Sequence, residues 1–580
     1  MDDVDAVQAQ IARNMLSSGD WVTARLDGVL YLEKSPLVYW LIAISYKVFG
    51  FADWAARIPV AGAAIGLALL TAGFAGWAFG RLAAFYAGLC IATCVGLFLF
   101  TRILIPDVML TGAITLAVWS ILRVLDEEER HPAWWAACLG VCLGAGLLLK
   151  SLIAVAFPVG AGVLYLLIAR QLLVRNTWHR LKPGMVILLT LLIAAPWHVL
   201  ATLRNPPYLA WTMRSAPGEY HGFFWFYFIN EQLLRFLNLR YPRDYNTVPR
   251  AYFWLFHLLW LFPWSVYLPS LARLSYRPMD RAGKTRLMAA CLTGFILVFF
   301  SFSTTQEYYS MPCYPALALL LASGMKEGSP AMMDVARRVL AAISIAAAAL
   351  IGVILVLVRN VPSAGDISSA LTQHPAAYTL SLGHMEDLTL DSFAYLRMPL
   401  VLAGVAFLIG GIGNLLCRKG NSVIVTGIMM VLFFQAARLA MVVFDPYMSS
   451  RPLADALLKT PPGTLIVDHH YYDFSSIFFY TNRTALLRNG RVDNLVYGSY
   501  APGAPDVFID DRQFTRIWSG SRRAYIVADH AAVPKLTELA GQDHIVTVMR
   551  SGGKVLLTNQ PLSIAIQSEN RVPAQSALRR

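Results

Sequence analysis

The sequence predicts a polytopic α-helical membrane protein with a C-terminal α/β domain. Of its 580 residues, 57% are hydrophobic and only 14% are charged, whereas a soluble domain carries roughly 25% charged residues. Between residues 57 and 445, apolar runs recur at about the 20-residue length that a bilayer requires. Beyond Arg451 the pattern changes to short strand-like runs separated by polar helical stretches.

The first 56 residues do not read as a span. Asp2, Asp3 and Asp5 open a short amphipathic helix over 4–16, with Val4, Val7, Ile11 and Met15 on one face. Asp5 followed by Gln8 suits a helix start, and Gly19-Asp20 and Asp27-Gly28 are turn signals. An acidic start without an apolar core does not read as a cleavable signal peptide. Residues 37–50 are apolar but short and carry Lys47, which predicts an interfacial helix.

Twelve spans follow, at about 57–79, 84–103, 108–125, 133–149, 151–170, 184–201, 252–272, 287–303, 307–324, 338–358, 396–416 and 422–444. Charge orients them. Arg170, Arg175, Arg180 and Lys182 fill one loop, and Arg273, Arg277, Arg281, Lys284 and Arg286 another. Arg337-Arg338 and Arg418-Lys419 stand at two further ends. The positive-inside rule makes all four cytoplasmic, and the span count between them agrees. Parity then puts residues 1–56, Ile103–Asp107, Lys150, 202–251, Thr304–Glu307, 359–395 and everything after 445 on the opposite face. The expected units are 1–56, a catalytic loop with juxtamembrane helices; 57–445, the multi-span domain; and 446–580, a soluble α/β domain.

The net charge of +13 suits cytoplasmic loops and anionic lipid contacts, so membrane lipids are expected partners and nucleic acid is not. The loop 202–251 carries six arginines, among them Arg235 and Arg240, and a run of aromatics. These residues suit lipid headgroups, or a cradle for a lipid-linked phosphate. Strand-like runs are Thr464–Val467, Ala524–Ala528, Ile545–Met549 and Lys554–Thr558, with helices near 452–459 and 532–540. Seven cysteines all lie in apolar segments and read as packing residues. His469-His470 after Asp468 reads as a polar strand end.

Charges near membrane depth are costly and mark function. The outer set is Asp2, Asp3, Asp5, Glu33, Lys34, Asp107, Lys150, Arg235 and Glu307. Taken singly, Asp107 suits a helix N-terminus, Lys150 a snorkelling lysine and Tyr308-Tyr309 an interfacial belt. Together they suit glycosyl transfer from a lipid phosphate. A carboxylate serves as general base, and cations hold the phosphate that leaves.

The run IARNMLSSGDWVTARLDGVLYLEKSPLVYWL resembles the first periplasmic loop of bacterial C-type glycosyltransferases, the aminoarabinose lipid A transferase and protein O-mannosyltransferase-like family. Further landmarks are Arg57-Ile-Pro, Pro106-Asp107, Lys150, Pro196-Trp197, Asn230-Glu231 and Tyr308-Tyr309 before Met311-Pro312. The resemblance implies inverting transfer of a sugar from a polyprenyl (undecaprenyl) phosphate to lipid A, a protein or an envelope polymer. It also implies a bacterial inner membrane location, with the site and the C-terminal domain periplasmic. Lys34, Lys150, Arg235 and Tyr308 or Tyr309 would contact the donor phosphate. Asp3 or Asp5 would be the catalytic carboxylate, with Asp107 a second. The resemblance fixes no cofactor, and Glu33 is a candidate ligand for a divalent metal.

This chain departs from the pattern. The family's Asp-Glu falls on Val4-Asp5, and its Lys-Gly-Pro on Lys150-Ser151-Leu152. The family has thirteen spans, one before the acidic loop, so a missed or trimmed first span is expected. The alternative reading is a transporter or lipid-linked sugar flippase, but no inverted repeat is visible.

Overall fold

The computed structural model describes residues 1–242, 248–303, 305–372, 382–417, 420–541 and 544–562. Arg418, Lys419 and the tail beyond Leu562 lie outside them.

Each of the twelve predicted spans coincides with a helix or helix pair. Among the described residues, eight helices are long and apolar enough to cross a membrane, or nine if one bent pair counts as a span. That pair, Arg250–Trp260 and Trp264–Arg273, turns through 101° and corrects the straight span expected over 252–272. Pro263 lies at the bend and Pro269 in the second arm, and neither supplies the N–H that a continuous helix needs. The run 84–103 is also broken. Arg81–Thr93 and Val95–Phe100 meet at an extended Cys94, and the Val95 N–H donates to the Phe262 carbonyl. Ile153–Ile168 and Cys313–Glu327 are shorter than their predicted runs.

The first helix, α1 (Asp3–Ser18), is capped by the Asp2 carboxylate, which accepts from Asp5 N–H. Burial differs from the predicted face. Val4 is 58% exposed, while Asp3 and Asp5 are buried. The hairpin β1 (Arg25–Leu26) and β2 (Val29–Leu30) turns at Asp27-Gly28, both with positive φ, the geometry a two-residue hairpin turn requires.

The C-terminal domain holds a six-stranded sheet built from β3 (Thr464–Asp468), β4 (Leu486–Arg488), β5 (Phe508–Ile509), β6 (Ala524–Asp529), β7 (Val546–Ser551) and β8 (Lys554–Thr558). The strand order is β5-β4-β3-β6-β8-β7, with β5 to β6 mutually parallel and β8 and β7 antiparallel. Strand order therefore reverses between β3 and β6, and open α/β sheets bind ligands at the carboxyl ends of such strands. Asp3 of α1 reaches into this domain. Its carboxylate accepts from Ser476 N–H at 2.8 Å, Ser450 Oγ at 2.9 Å and Lys554 Nζ at 2.6 Å.

The segments assigned to one face by parity do meet. Asp5 holds the Leu104 N–H at 2.7 Å. Arg235 reaches Tyr309, and Arg240 reaches Asn494. Asp366 accepts from Gly552 N–H. At the other end of the bundle, Arg281 pairs with Asp126 and Glu128, Arg180 donates to the Val124 and Asp126 carbonyls, and Arg337 caps the last turn of Arg397–Leu416.

Candidate active site

Asp107 and Lys150 form the centre. Pro106 and Asp107 open the helix Asp107–Leu125, and Lys150 ends Pro132–Leu149, so two helix termini bring opposite charges together. Lys150 Nζ lies 2.5 Å from Asp107 Oδ1. It also stands over the rings of Tyr309 and Tyr308, at 4.6 and 5.0 Å from their centroids. Both aromatic faces and the carboxylate attract the ammonium group.

Tyr309 links this pair to the arginine-rich loop, because Arg235 Nη2 donates to its hydroxyl at 3.0 Å. Arg235 also meets Glu231 at 2.7 Å and Glu33 at 3.8 Å. Glu231 lies in a ten-residue π-helical run, Trp225–Leu234, a rare form that often occurs at functional sites. Arg240 pairs with Glu231 and stands 3.8 Å from Glu33. Asn230 fixes the segment that carries Arg240, donating to the Tyr241 carbonyl and accepting from its N–H. Glu33 pairs with Lys34. Burial works to raise the Glu33 carboxyl, but Lys34, Arg240 and Arg235 outweigh it and hold the group well below its ordinary value. Lys34 also lines a small cleft with Tyr31, Trp197, Asn205 and Phe223.

The acidic start divides between two tasks. Asp3, expected as a candidate base, is instead engaged in docking α1 onto the C-terminal domain, with all its polar contacts there. Asp5 pairs with Arg57 and holds the backbone of Leu104, three residues before Asp107. Burial, reinforced by the charge of Asp2, raises Asp5 to about 7 against the pull of Arg57 and the Leu104 N–H. Glu307 is buried at the turn that carries Tyr308 and Tyr309.

A divalent metal does not fit at Glu33. Its oxygens face Lys34, Arg235 and Arg240, and among the described residues no group of three or more His, Cys, Asp or Glu could share an ion. Glu231 and Arg240 were not predicted as site residues. The four-residue spacing of Glu231 and Arg235 was the available signal. Asn494 and Tyr472, which link Arg240 to Tyr31 through hydrogen bonds, carried no signal at all.

Fold and site together define a multi-span membrane protein with a polar constellation of carboxylates, cations and tyrosines on one face. Residues 33–199 match the family described as dolichyl-phosphate-mannose-protein mannosyltransferase. An undecaprenyl phosphate-alpha-4-amino-4-deoxy-L-arabinose arabinosyl transferase of Aeromonas hydrophila is 32% identical over 332 residues, which is 55% of this chain and 56% of the relative. One from Pectobacterium carotovorum is 28% identical over 331 residues, 56% of this chain and 55% of that protein. The chain thus spans about half the length of the curated relatives it matches. Among solved structures, ArnT from Cupriavidus metallidurans bound to undecaprenyl phosphate shares the fold, with TM-score 0.76, 22% identity, and coverage of 96% of this chain and 93% of that one. The same protein in the apo state gives a TM-score of 0.73 at 21% identity, covering 97% and 93%. These matches bear out the resemblance read from the first loop: the chain is similar to the aminoarabinose lipid A transferases and to protein mannosyltransferase-like glycosyltransferases.

Proposed function

We propose that this protein is an inverting glycosyltransferase. It moves a sugar from a polyprenyl (undecaprenyl) phosphate to lipid A, a protein or an envelope polymer, on the periplasmic face of the bacterial inner membrane. The observation that carries this reading is Lys150, held between Asp107 and the Tyr308-Tyr309 rings, with Arg235 bonded to Tyr309.

In this reading Lys34, Lys150 and Arg235 receive the donor phosphate, assisted by the hydroxyls of Tyr308 and Tyr309. Arg240 and Glu231 hold Arg235 and Glu33 in place. Asp5 or Asp107 takes the proton of the acceptor hydroxyl as its oxygen bonds to the anomeric carbon. The bond from that carbon to the phosphate oxygen breaks on the opposite side. Polyprenyl phosphate then leaves as an anion that needs no strong acid at neutral pH, and the nearby cations stabilise it.

The test is transfer in reconstituted vesicles supplied with a polyprenyl-phosphate sugar and lipid A. Formation of glycosylated lipid A, lost in Asp107→Asn, supports the reading. Movement of the lipid-linked sugar across the bilayer without covalent change overturns it in favour of a flippase.

A further inference from the structure

The C-terminal domain sends one amide into the cluster around Glu33. Asn494 stands immediately before the short helix Leu495–Ser499 and beside the buried Arg240. Arg240 Nη2 donates to Asn494 Oδ1 at 3.4 Å. Asn494 Nδ2 donates in turn to the Tyr472 hydroxyl at 2.9 Å, and that hydroxyl donates to the Tyr31 hydroxyl at 3.2 Å. The direction of these bonds is set by the first partner. A guanidinium only donates, so the amide oxygen faces Arg240 and the amide nitrogen is left for Tyr472.

The bonds close a ring around Glu33. One arm holds its carboxylate, because Arg240 Nη2 stands 3.8 Å from Glu33 Oε2. The other arm reaches its backbone, because Tyr31 lies two residues earlier in the chain and is buried. Asn494 is the link where the two arms meet. It therefore couples the side chain of Glu33 to the strand end that delivers it.

The helix that follows Asn494 pins the amide in place. The Tyr497 hydroxyl accepts from His221 N–H at 2.9 Å and donates to the Gly222 carbonyl at 3.0 Å, just before the π-helical run. Its ring stacks on Phe226, with centroids 4.1 Å apart. Gly498 lies so close to the hairpin that any side chain there would collide with the Leu30 carbonyl oxygen. Asn494 is thus fixed relative to both the run that carries Glu231 and the hairpin that leads to Glu33 and Lys34. We propose that Asn494 is a positioning residue for the donor side of the site. Through Arg240 it sets the Glu33 carboxylate, and with it the Lys34 and Arg235 cations that Glu33 faces. This inference rests on the transfer reading.

The test is binding of undecaprenyl phosphate by the full chain in lipid nanodiscs, measured alongside transfer kinetics. Asn494→Ala is expected to weaken that binding and to raise the donor KM, each by about fivefold, with the acceptor KM and Tm at their wild-type values. Asn494→Leu keeps the volume and loses both hydrogen bonds, so it should weaken binding as much as Asn494→Ala. Wild-type binding in either variant overturns the inference and leaves the transfer reading standing. So does an equal rise in both KM values, or a loss of binding that follows a lowered Tm, since either marks a merely structural role. A wild-type protein that binds the lipid but transfers no sugar counts against the transfer reading alone, and the binding comparison still decides the role of Asn494. A wild-type protein that binds no undecaprenyl phosphate overturns both.

Discussion

Asp3 and Lys554 are 551 residues apart in the chain and 2.6 Å apart in space. Their ion pair is buried and joins α1 to strand β8 of the C-terminal sheet. Removing one partner of such a pair leaves an uncompensated charge, at a cost of about 3–5 kcal/mol. Lys554→Ala is therefore expected to free the C-terminal domain from the membrane part. Limited proteolysis between 445 and 451 should speed up in Lys554→Ala and stay slow in Lys554→Arg. Unchanged cleavage in Lys554→Ala would mean that the pair does not hold the two parts together.

Asp107 and Lys150 should fail together. Each neutralises the other, so Asp107→Asn leaves an excess cation and Lys150→Ala an excess carboxylate. Either change is expected to lower the transfer rate by about a hundredfold or more. The double variant should be little worse than the poorer single one, because the two act as a unit. Multiplying losses would show that they act separately.

Arg235→Lys keeps the charge but loses the fork that reaches Glu231 and Tyr309 at once. The expected result is a KM for the lipid-phosphate donor raised by about tenfold, with the acceptor KM unchanged. A change confined to the acceptor KM would move Arg235 out of the donor site.

Asp5 provides a pH signature. Burial and the neighbouring Asp2 raise it to about 7, and a general base works deprotonated. If Asp5 is the base, kcat/KM rises as pH climbs through about 7, and Asp5→Asn removes both the activity and that limb. Full activity in Asp5→Asn leaves Asp107 as the base.

Asp27 provides a second signature, in stability. Burial raises its carboxyl to about 7 even though it accepts the Ala485 N–H. The folded protein thus holds this proton more tightly than the unfolded chain. Its contribution is full below about pH 4, falls as pH rises from about 4 to about 7, and stays low above that. The loss is at most roughly 4 kcal/mol. Asp27→Asn keeps the hydrogen-bond acceptor and suits the positive φ of this turn. It should raise Tm at neutral pH and leave it unchanged at pH 4; a lower Tm at both would reject the assignment.

Much of this was legible in the sequence. Alternating charge and apolar length located the helices, and parity alone grouped Asp107, Lys150, Arg235 and Glu307 on one face. The turn at Asp27-Gly28 followed from turn chemistry, though the two short strands flanking it did not. What could not be read were contacts with no local pattern. The resemblance offered Asp3 as a catalytic carboxylate, and nothing near it in the sequence announces Lys554. Arg240 was one arginine among six in its loop, and its pairing with Glu231 depends on a π-helical run that propensity does not indicate. The bend at Pro263 is signalled by proline, but an apolar run containing proline can also cross a membrane, so periodicity did not separate the two.

The C-terminal sheet has its own occupant. Asp3 is held by Ser450, Ser476 and Lys554 as a tethered ligand, so the domain meets it at a local concentration set by the chain rather than by the medium. A free carboxylate would have to outcompete that concentration to enter. That polar nest is in effect a lock closed by the protein's own key, and any molecule that did open it would be acting directly on the helix that presents Asp5.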